Sequence, residues 1–330
     1  MKYRKIPGTG VDASVVGFGL WGISGQWEGG ADDKTAISAL HEAIDNGINF
    51  FDTAPVYGLG HAEKVLGRAL KDRRNEVLIA SKCGLIWDDN GEVSRNLSRQ
   101  SLIDEIDRSL KRLNTDHIDL WQIHWPCSDW VLEETMEALG AVKKAGKVRW
   151  LGVSNFSAAD TRRANELEDI VTWQGLYNAF ERNAGTYRGD ILDYRTEKEI
   201  MPLVGEIDIA LLPFGPLMMG LLAGGFDETK VFGRDDVRSG NPRLSGEESG
   251  PYFKAARVFI DFARELSKAP AELAINWILY KPSILSVISG ARTASEAAEN
   301  AKASEWTLTE EQYRELEKRL SPWAEIIIES

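Results

Sequence analysis

Asp52 closes an apolar run, Ile48-Asn49-Phe50-Phe51, and within six residues the chain passes the breaker Pro55 and reaches Tyr57 and Gly58. A carboxylate at the tip of a buried strand is costly unless a cation meets it. Lys82, directly after the run Val77-Leu78-Ile79-Ala80-Ser81, is the cation expected to do so. His124 follows the run 118–123, Ser154 and Asn155 follow 148–153, and Gln174 ends the run that starts at Ile170. Carboxylate, ammonium, phenol and imidazole together can hold, hand over and aim a proton at an oxygen. Taken singly each has an ordinary explanation: a turn cap, a solvated lysine, a rim tyrosine, a core histidine. Their recurrence at corresponding places on consecutive units is what gives them weight.

Those places are set by an alternation of apolar strands and amphipathic helices. Candidate strands are Val15–Phe18, Ile48–Asp52, Val77–Ser81, Ile118–Ile123, Val148–Val153, Ile170–Gln174, Ile209–Leu212 and Leu285–Ile288. Between them, stripes such as Ile37, Leu40, Ile44 and Leu102, Ile106, Leu110, Leu113 have helical spacing. Asp32 or Asp33, Ser157 with Asp160, and Thr309 with Gln312 are expected to open helices as caps. Eight such units in one chain predict a parallel (β/α)8 TIM barrel, preceded by a β-hairpin around Pro7-Gly8-Thr9-Gly10 and followed by a tail at 321–330. A Gly-, Arg- and Ser-rich insertion covers about 224–250, and no linker divides the chain, so one domain is expected across 1–330. In such a barrel, side chains at the strands' carboxyl ends share a mouth where active sites lie.

Composition narrows the classes. The chain has 330 residues, 43% hydrophobic and 27% charged, and 51 acidic against 39 basic side chains leave a net charge of −12. That speaks against a nucleic-acid or anionic-membrane partner, which would need a basic face. Any phosphate must then be met by local groups. Two cysteines, no apolar span and no signal-like N-terminus lead to the expectation of a cytoplasmic protein. Cys83 and Cys127 are expected near the mouth, as packing thiols. Four histidines without a paired motif do not favour a metal-dependent hydrolase. Gly17-x-Gly19-x-x-Gly22 matches a dinucleotide fingerprint, but its third glycine opens a loop, 24–30, rather than the required helix.

The stretches Asp52-Thr53-Ala54-Pro55-Val56-Tyr57-Gly58, Ser81-Lys82, Leu113 through Pro126, Gly152-Val153-Ser154-Asn155-Phe156 and Gly290-Ala291-Arg292 resemble the aldo-keto reductase family, most of all its bacterial branch of general-stress and inositol-related reductases. The resemblance runs from about residue 3 to 320. It implies a catalytic tetrad of Asp52, Tyr57, Lys82 and His124. It also implies a nicotinamide dinucleotide, NADPH first with NADH possible, held by Gly19, Leu20, Trp21, Asp52, Ser154, Asn155, Gln174, by Phe214, Gly215, Pro216, Leu217, Gly220 and Leu222, and by Ser289, Gly290, Ala291, Arg292, Glu296, Glu299 and Asn300. Three positions depart from the family's pattern: Leu20, Gly215 and Glu296 stand where threonine, serine and glutamine are usual. A carboxylate at 296 would repel a 2′-phosphate, whereas Arg292 would attract one.

Reducing a carbonyl needs hydride on carbon and a proton for the developing alkoxide. A lysine about 4 Å from a phenol, at an effective dielectric near 20, favours phenolate by about 4 kcal/mol, or about three pKa units. Lys82 is therefore expected to bring Tyr57 toward neutrality, with burial taking some of that back, while Asp52 keeps Lys82 charged and His124 orients the carbonyl. Trp21, Trp87 and Trp125, with Tyr57 and His124, are expected to wall the substrate pocket with apolar surface, which suits a small aldehyde or ketone more than a highly charged one. The alternative kept open is a dinucleotide-binding sensor or auxiliary subunit of the same fold with little turnover.

Overall fold

A computed structural model describes residues 1–25, 32–234 and 236–328. Eight parallel strands close into a barrel in chain order: β1 Val16–Gly19, β2 Phe50–Asp52, β3 Leu78–Cys83, β4 Ile118–Ile123, β5 Val148–Ser154, β6 Ile170–Leu176, β7 Ala210–Phe214 and β8 Val287–Gly290, which pairs back onto β1. The helices between them are α1 Asp33–Asp45, α2 His61–Ala69, α3 Arg99–Leu113, α4 Leu132–Lys144, α5 Ala158–Leu167, α6 Met201–Glu206, then α7 Gly250–Glu265 and α8 Pro270–Leu279 before β8, and α9 Ala294–Lys302 and α10 Glu310–Leu320 after it. Three of the expected caps form: Asp32 accepts from Thr35 N, Ser157 from Asp160 N, and Thr309 with Gln312 makes a reciprocal capping box.

The period of two along each strand decides which residues meet. Phe50, Leu78, Ala80, Leu120, Ala210, Leu212 and Ile288 form a cluster inside the barrel. Their odd-numbered neighbours Phe51, Ile79, Trp121, Leu151, Trp173, Leu211 and Val287 pack between strands and helices. Carrying the alternation two residues further up sends Asp52, Lys82, Gln122, His124, Ser154, Gln174 and Phe214 inward at the carboxyl end. At the opposite end the hairpin Tyr3–Lys5/Asp12–Ser14 adds Ile6 and Ala13 to the interior cluster. Arg4 fastens it by donating to the carbonyls of Leu279, Lys281 and Ile284.

The structure departs from the sequence reading in four places. Lys82 lies within β3, one residue before its end, because the strand runs on to Cys83. The glycine pattern at 17–22 leads into a 3-10 turn, Leu20–Ile23, and the loop reading for 26–30 lies outside the described residues. Two short ribbons, Leu85–Trp87/Val93–Arg95 after β3 and Thr186–Tyr187/Asp190–Ile191 after β6, were not expected, their strands being only two or three residues long. Residues 321–328 are packed helical turns rather than a loose tail: Ile327 is fully buried, Tyr252 Oη donates to Ile326 O at 3.0 Å and Asn183 Nδ2 to Ile328 O at 2.8 Å. Among the described residues no helix is long and apolar enough to cross a membrane, and no three of His, Cys, Asp and Glu gather as a metal-ligand set.

Candidate functional site

Lys82 is the hub. Its Nζ, on a side chain about 1% exposed, donates to Asp52 Oδ1 and Oδ2 at 2.9 and 2.7 Å, to Thr53 O at 3.0 Å and to Tyr57 Oη at 3.3 Å. Gln174 Nε2 donates to the same Asp52 Oδ1 at 2.8 Å. The His124 ring stands edge-on to Tyr57, centroids 5.7 Å apart. So the four residues gathered from sequence do converge, from the ends of β2, β3 and β4 and the loop after β2. Behind them Asn155, in a left-handed conformation (φ 61°), donates Nδ2 to His124 O and to Ser154 Oγ, both at 3.1 Å, while its Oδ1 accepts from Tyr194 Oη at 3.0 Å. Asn155 thereby holds the main chain of His124.

The electrostatics correct one expectation. Tyr57 is not drawn toward neutrality: burial of its hydroxyl end and the Asp52 charge push its pKa well above the usual phenol value, with only Arg188 pulling it down. Two carboxylate hydrogen bonds to Lys82 offset the ammonium's field at the phenol, which leaves desolvation in charge. Lys82 itself is lowered by burial, with Asp52 opposing. Burial, then Lys82 and Arg95, hold His124 well below the usual imidazole value, so its ring is neutral at pH 7 and can donate one N–H.

The residues assigned to the dinucleotide form an arc around the mouth. Gly19 ends β1, and Leu20 and Trp21 start the turn after it, with Leu20 buried and Trp21 half-buried. Phe214 ends β7; Gly215 (φ 71°) makes a turn that a side chain would strain, and Pro216, Leu217, Gly220 and Leu222 follow in tight turns, Leu222 fully buried. Ser289 and Gly290 end β8, Ala291 is buried, and Glu299 is half-buried on α9. Asn300 Nδ2 donates to Gly290 O at 3.0 Å. Ser289 Oγ is buried with no hydrogen-bond partner among the described residues, so a polar group is wanting there. Arg292 is engaged: its Nη2 lies 3.1 Å from Glu296 Oε1, and its backbone N donates to Glu296 Oε2 at 2.7 Å. The unpartnered Ser289 hydroxyl and the turn at Gly215 leave room for a polar ligand at the mouth, while Leu20 and Leu222 are buried and Asn155 holds His124, Ser154 and Tyr194.

Of the tryptophans, Trp21 and Trp125 each face a guanidinium, Arg188 at 4.8 Å and Arg95 at 5.4 Å from the ring centroids. Trp87 faces Arg112, at 5.7 Å, whose Nε pairs with Glu63 of α2. That contact ties Trp87 to the α2–α3 groove, and among the described residues no ring contact joins it to Tyr57 or His124. Beside the apolar surface expected of Trp21 and Trp125, the mouth also carries the guanidiniums of Arg188 and Arg95. Neither they nor Tyr194 were found from sequence, since loop arginines and a tyrosine beyond the strand pattern carry no periodic signal. Glu181 is another such residue: buried, it pairs with Arg243 of the 224–250 insertion at 3.3 Å and accepts from Asn178 Nδ2 at 2.7 Å. Asn178 also donates to Gly215 O at 2.9 Å, which clamps the segment after β7.

A closed barrel with a buried carboxylate–ammonium–phenol chain at its carboxyl mouth defines an oxidoreductase-type (β/α)8 protein. The chain belongs to the aldo/keto reductase family, whose profile matches residues 15–320. It is 35% identical over 319 residues to the aldo-keto reductase YhdN of Bacillus subtilis (strain 168), covering 96% of this chain and 92% of that one. It is 30% identical over 317 residues to an NADH-specific methylglyoxal reductase of Escherichia coli (strain K12), covering 91% and 93%. Among solved structures it resembles the glycerol dehydrogenase AKR11B4 from Gluconobacter oxydans, with a TM-score of 0.87 and 33% identity over 97% of this chain and 95% of that one.

Proposed function

We propose that this protein reduces small aldehydes or ketones with a nicotinamide dinucleotide, Tyr57 giving the proton. The observation that carries the reading is the single buried ammonium shared by Asp52, Thr53 O and Tyr57 Oη. A carbonyl oxygen beside Tyr57 and His124 would accept one hydrogen bond from the phenol and one from the neutral imidazole. As negative charge grows on that oxygen, the phenol proton moves to it. Lys82, 3.3 Å away, steadies the phenolate left behind, and Asp52 and Gln174 keep Lys82 aimed. The bound dinucleotide supplies the hydride. An aldehyde panel with each reduced dinucleotide tests this: oxidation of the dinucleotide that disappears in Tyr57→Phe is expected, and full activity in that variant would overturn Tyr57's role. Tight dinucleotide binding with negligible turnover across the panel would favour the sensor alternative instead.

Arg292 made NADPH the first choice from sequence. With its guanidinium on Glu296, we propose that NADH serves at least as well, because a 2′-phosphate would meet a carboxylate that already engages Arg292. Glu296→Gln is expected to shift the NADPH-to-NADH ratio of kcat/KM upward by about tenfold, one good charge contact being worth about 1.4 kcal/mol. An unchanged ratio would separate this pair from cofactor choice.

A further inference from the structure

The ribbon Thr186–Tyr187/Asp190–Ile191 carries Arg188 onto Trp21 at the mouth, and the proposed proton transfer does not use it. Its two turn residues, Arg188 and Gly189, both have positive φ, 53° and 90°. Such a turn favours Asn-Gly, so a long side chain at its first place is strained, and strain of that kind points to a task for the side chain. The Arg188 guanidinium lies over the Trp21 ring at 4.8 Å and has no carboxylate partner among the described residues. Arg95 reaches the same mouth from the other ribbon, but it is committed to Asp190 at 3.3 Å and to Pro126 O at 3.4 Å. Both cations act on the site electrostatically: Arg188 lowers the Tyr57 pKa and Arg95 lowers that of His124. A chain of net charge −12 does not attract anions by its overall field, so an anion at this mouth needs a local cation, and Arg188 is placed to supply it.

We propose that the preferred substrates carry a carboxylate a few bonds from the carbonyl carbon, and that Arg188 grips that carboxylate while Tyr57 and His124 hold the carbonyl oxygen. This rests on the reductase reading of Tyr57 and His124. The carboxylate is a spectator: two electrons reach carbon as hydride from the reduced dinucleotide, and the oxygen takes the Tyr57 proton. A guanidinium suits the role because its flat fork accepts a carboxylate on two N–H groups while its face stays stacked on Trp21.

The pair 4-carboxybenzaldehyde and 4-nitrobenzaldehyde tests it, being alike in shape and different in charge. In the wild-type protein the ratio of their kcat/KM values is expected to favour the carboxylate. Arg188→Met is expected to lower that ratio at least tenfold, mainly through KM, and Arg188→Lys to keep part of it. Both aldehydes reduced with the ratio unchanged in Arg188→Met would overturn the proposal and leave the reductase reading standing. A rise in dinucleotide Kd with the ratio intact would assign Arg188 to the cofactor and overturn it too. Reduction of neither aldehyde would count against the reductase reading itself. Calorimetry with 4-(hydroxymethyl)benzoate and the reduced dinucleotide, a pair that cannot react, then decides Arg188 without turnover: a tenfold weaker Kd in Arg188→Met supports it, and an equal Kd sinks it.

Discussion

One ammonium with four oxygen neighbours joins Asp52, Thr53 and Tyr57 into one buried unit. Removing it alone, as in Lys82→Met, leaves Asp52 buried and unpaired, and breaking a buried pair in this way costs about 3–5 kcal/mol. Removing both charges in Asp52→Asn/Lys82→Met is expected to recover most of that in a thermal melt without recovering activity. A double variant no more stable than the single one would show that the pair is not the source of the loss. The same hub sets the pH profile. Because burial and Asp52 raise the Tyr57 pKa above its ordinary value, the phenol keeps its proton throughout the neutral range. Carbonyl reduction, which consumes that proton, is expected to stay level from about pH 7 to 9, while alcohol oxidation, which needs the phenolate, climbs with pH. His124, held neutral, adds no limb between pH 6 and 8. A reductive rate that falls through pH 7 would mean that bound ligands invert the balance.

At the scale of an element, the loop after β3 rests on one carboxyl group. Glu105 of α3 is buried, accepts from Gly84 N at 2.9 Å and from Ser101 Oγ at 3.1 Å, and burial lifts its pKa to about 7. A folded-state pKa above the unfolded value means the fold binds the proton more tightly. Glu105 therefore costs stability as pH rises from about 4.5 to 7, by at most about 3 kcal/mol, and the cost is complete above pH 7. Glu105→Gln, which keeps both acceptor bonds through its carbonyl only in part but carries no charge, is expected to raise the melting temperature at pH 8 and to flatten its pH dependence between 4.5 and 7. An unaltered slope would exclude Glu105 as its source. Elements also mark what could be read from sequence. The eight strands were legible because each is a run of apolar residues long enough to be buried on both faces, and Asp52, Lys82 and His124 because they end such runs. The two ribbons were not, since strands of two or three residues are too short to show a period, and Arg188 and Arg95 were lost with them.

Across the whole molecule, the barrel order followed from counting alternations, but the contacts that join distant parts of the chain had no counterpart in any local pattern. Arg182, just past β6, pairs with Glu317 of α10 at 2.6 and 2.9 Å, and Asn183 beside it holds Ile328 O. The segment after α10 thus braces the stretch that leads into the Arg188 ribbon, and Ile327 is the apolar pin that seats it. Ile327→Ala deletes buried methyl groups and is expected to cost about 2–5 kcal/mol, whereas Ile328→Ala, at a half-buried position, should cost far less. If the brace also positions the ribbon, Ile327→Ala will lower the 4-carboxybenzaldehyde to 4-nitrobenzaldehyde ratio at a temperature where the variant remains folded, and the level reductive pH profile will hold because moving Arg188 away only raises the Tyr57 pKa further. Loss of stability with that ratio held constant would confine the segment after α10 to packing and separate it from substrate choice.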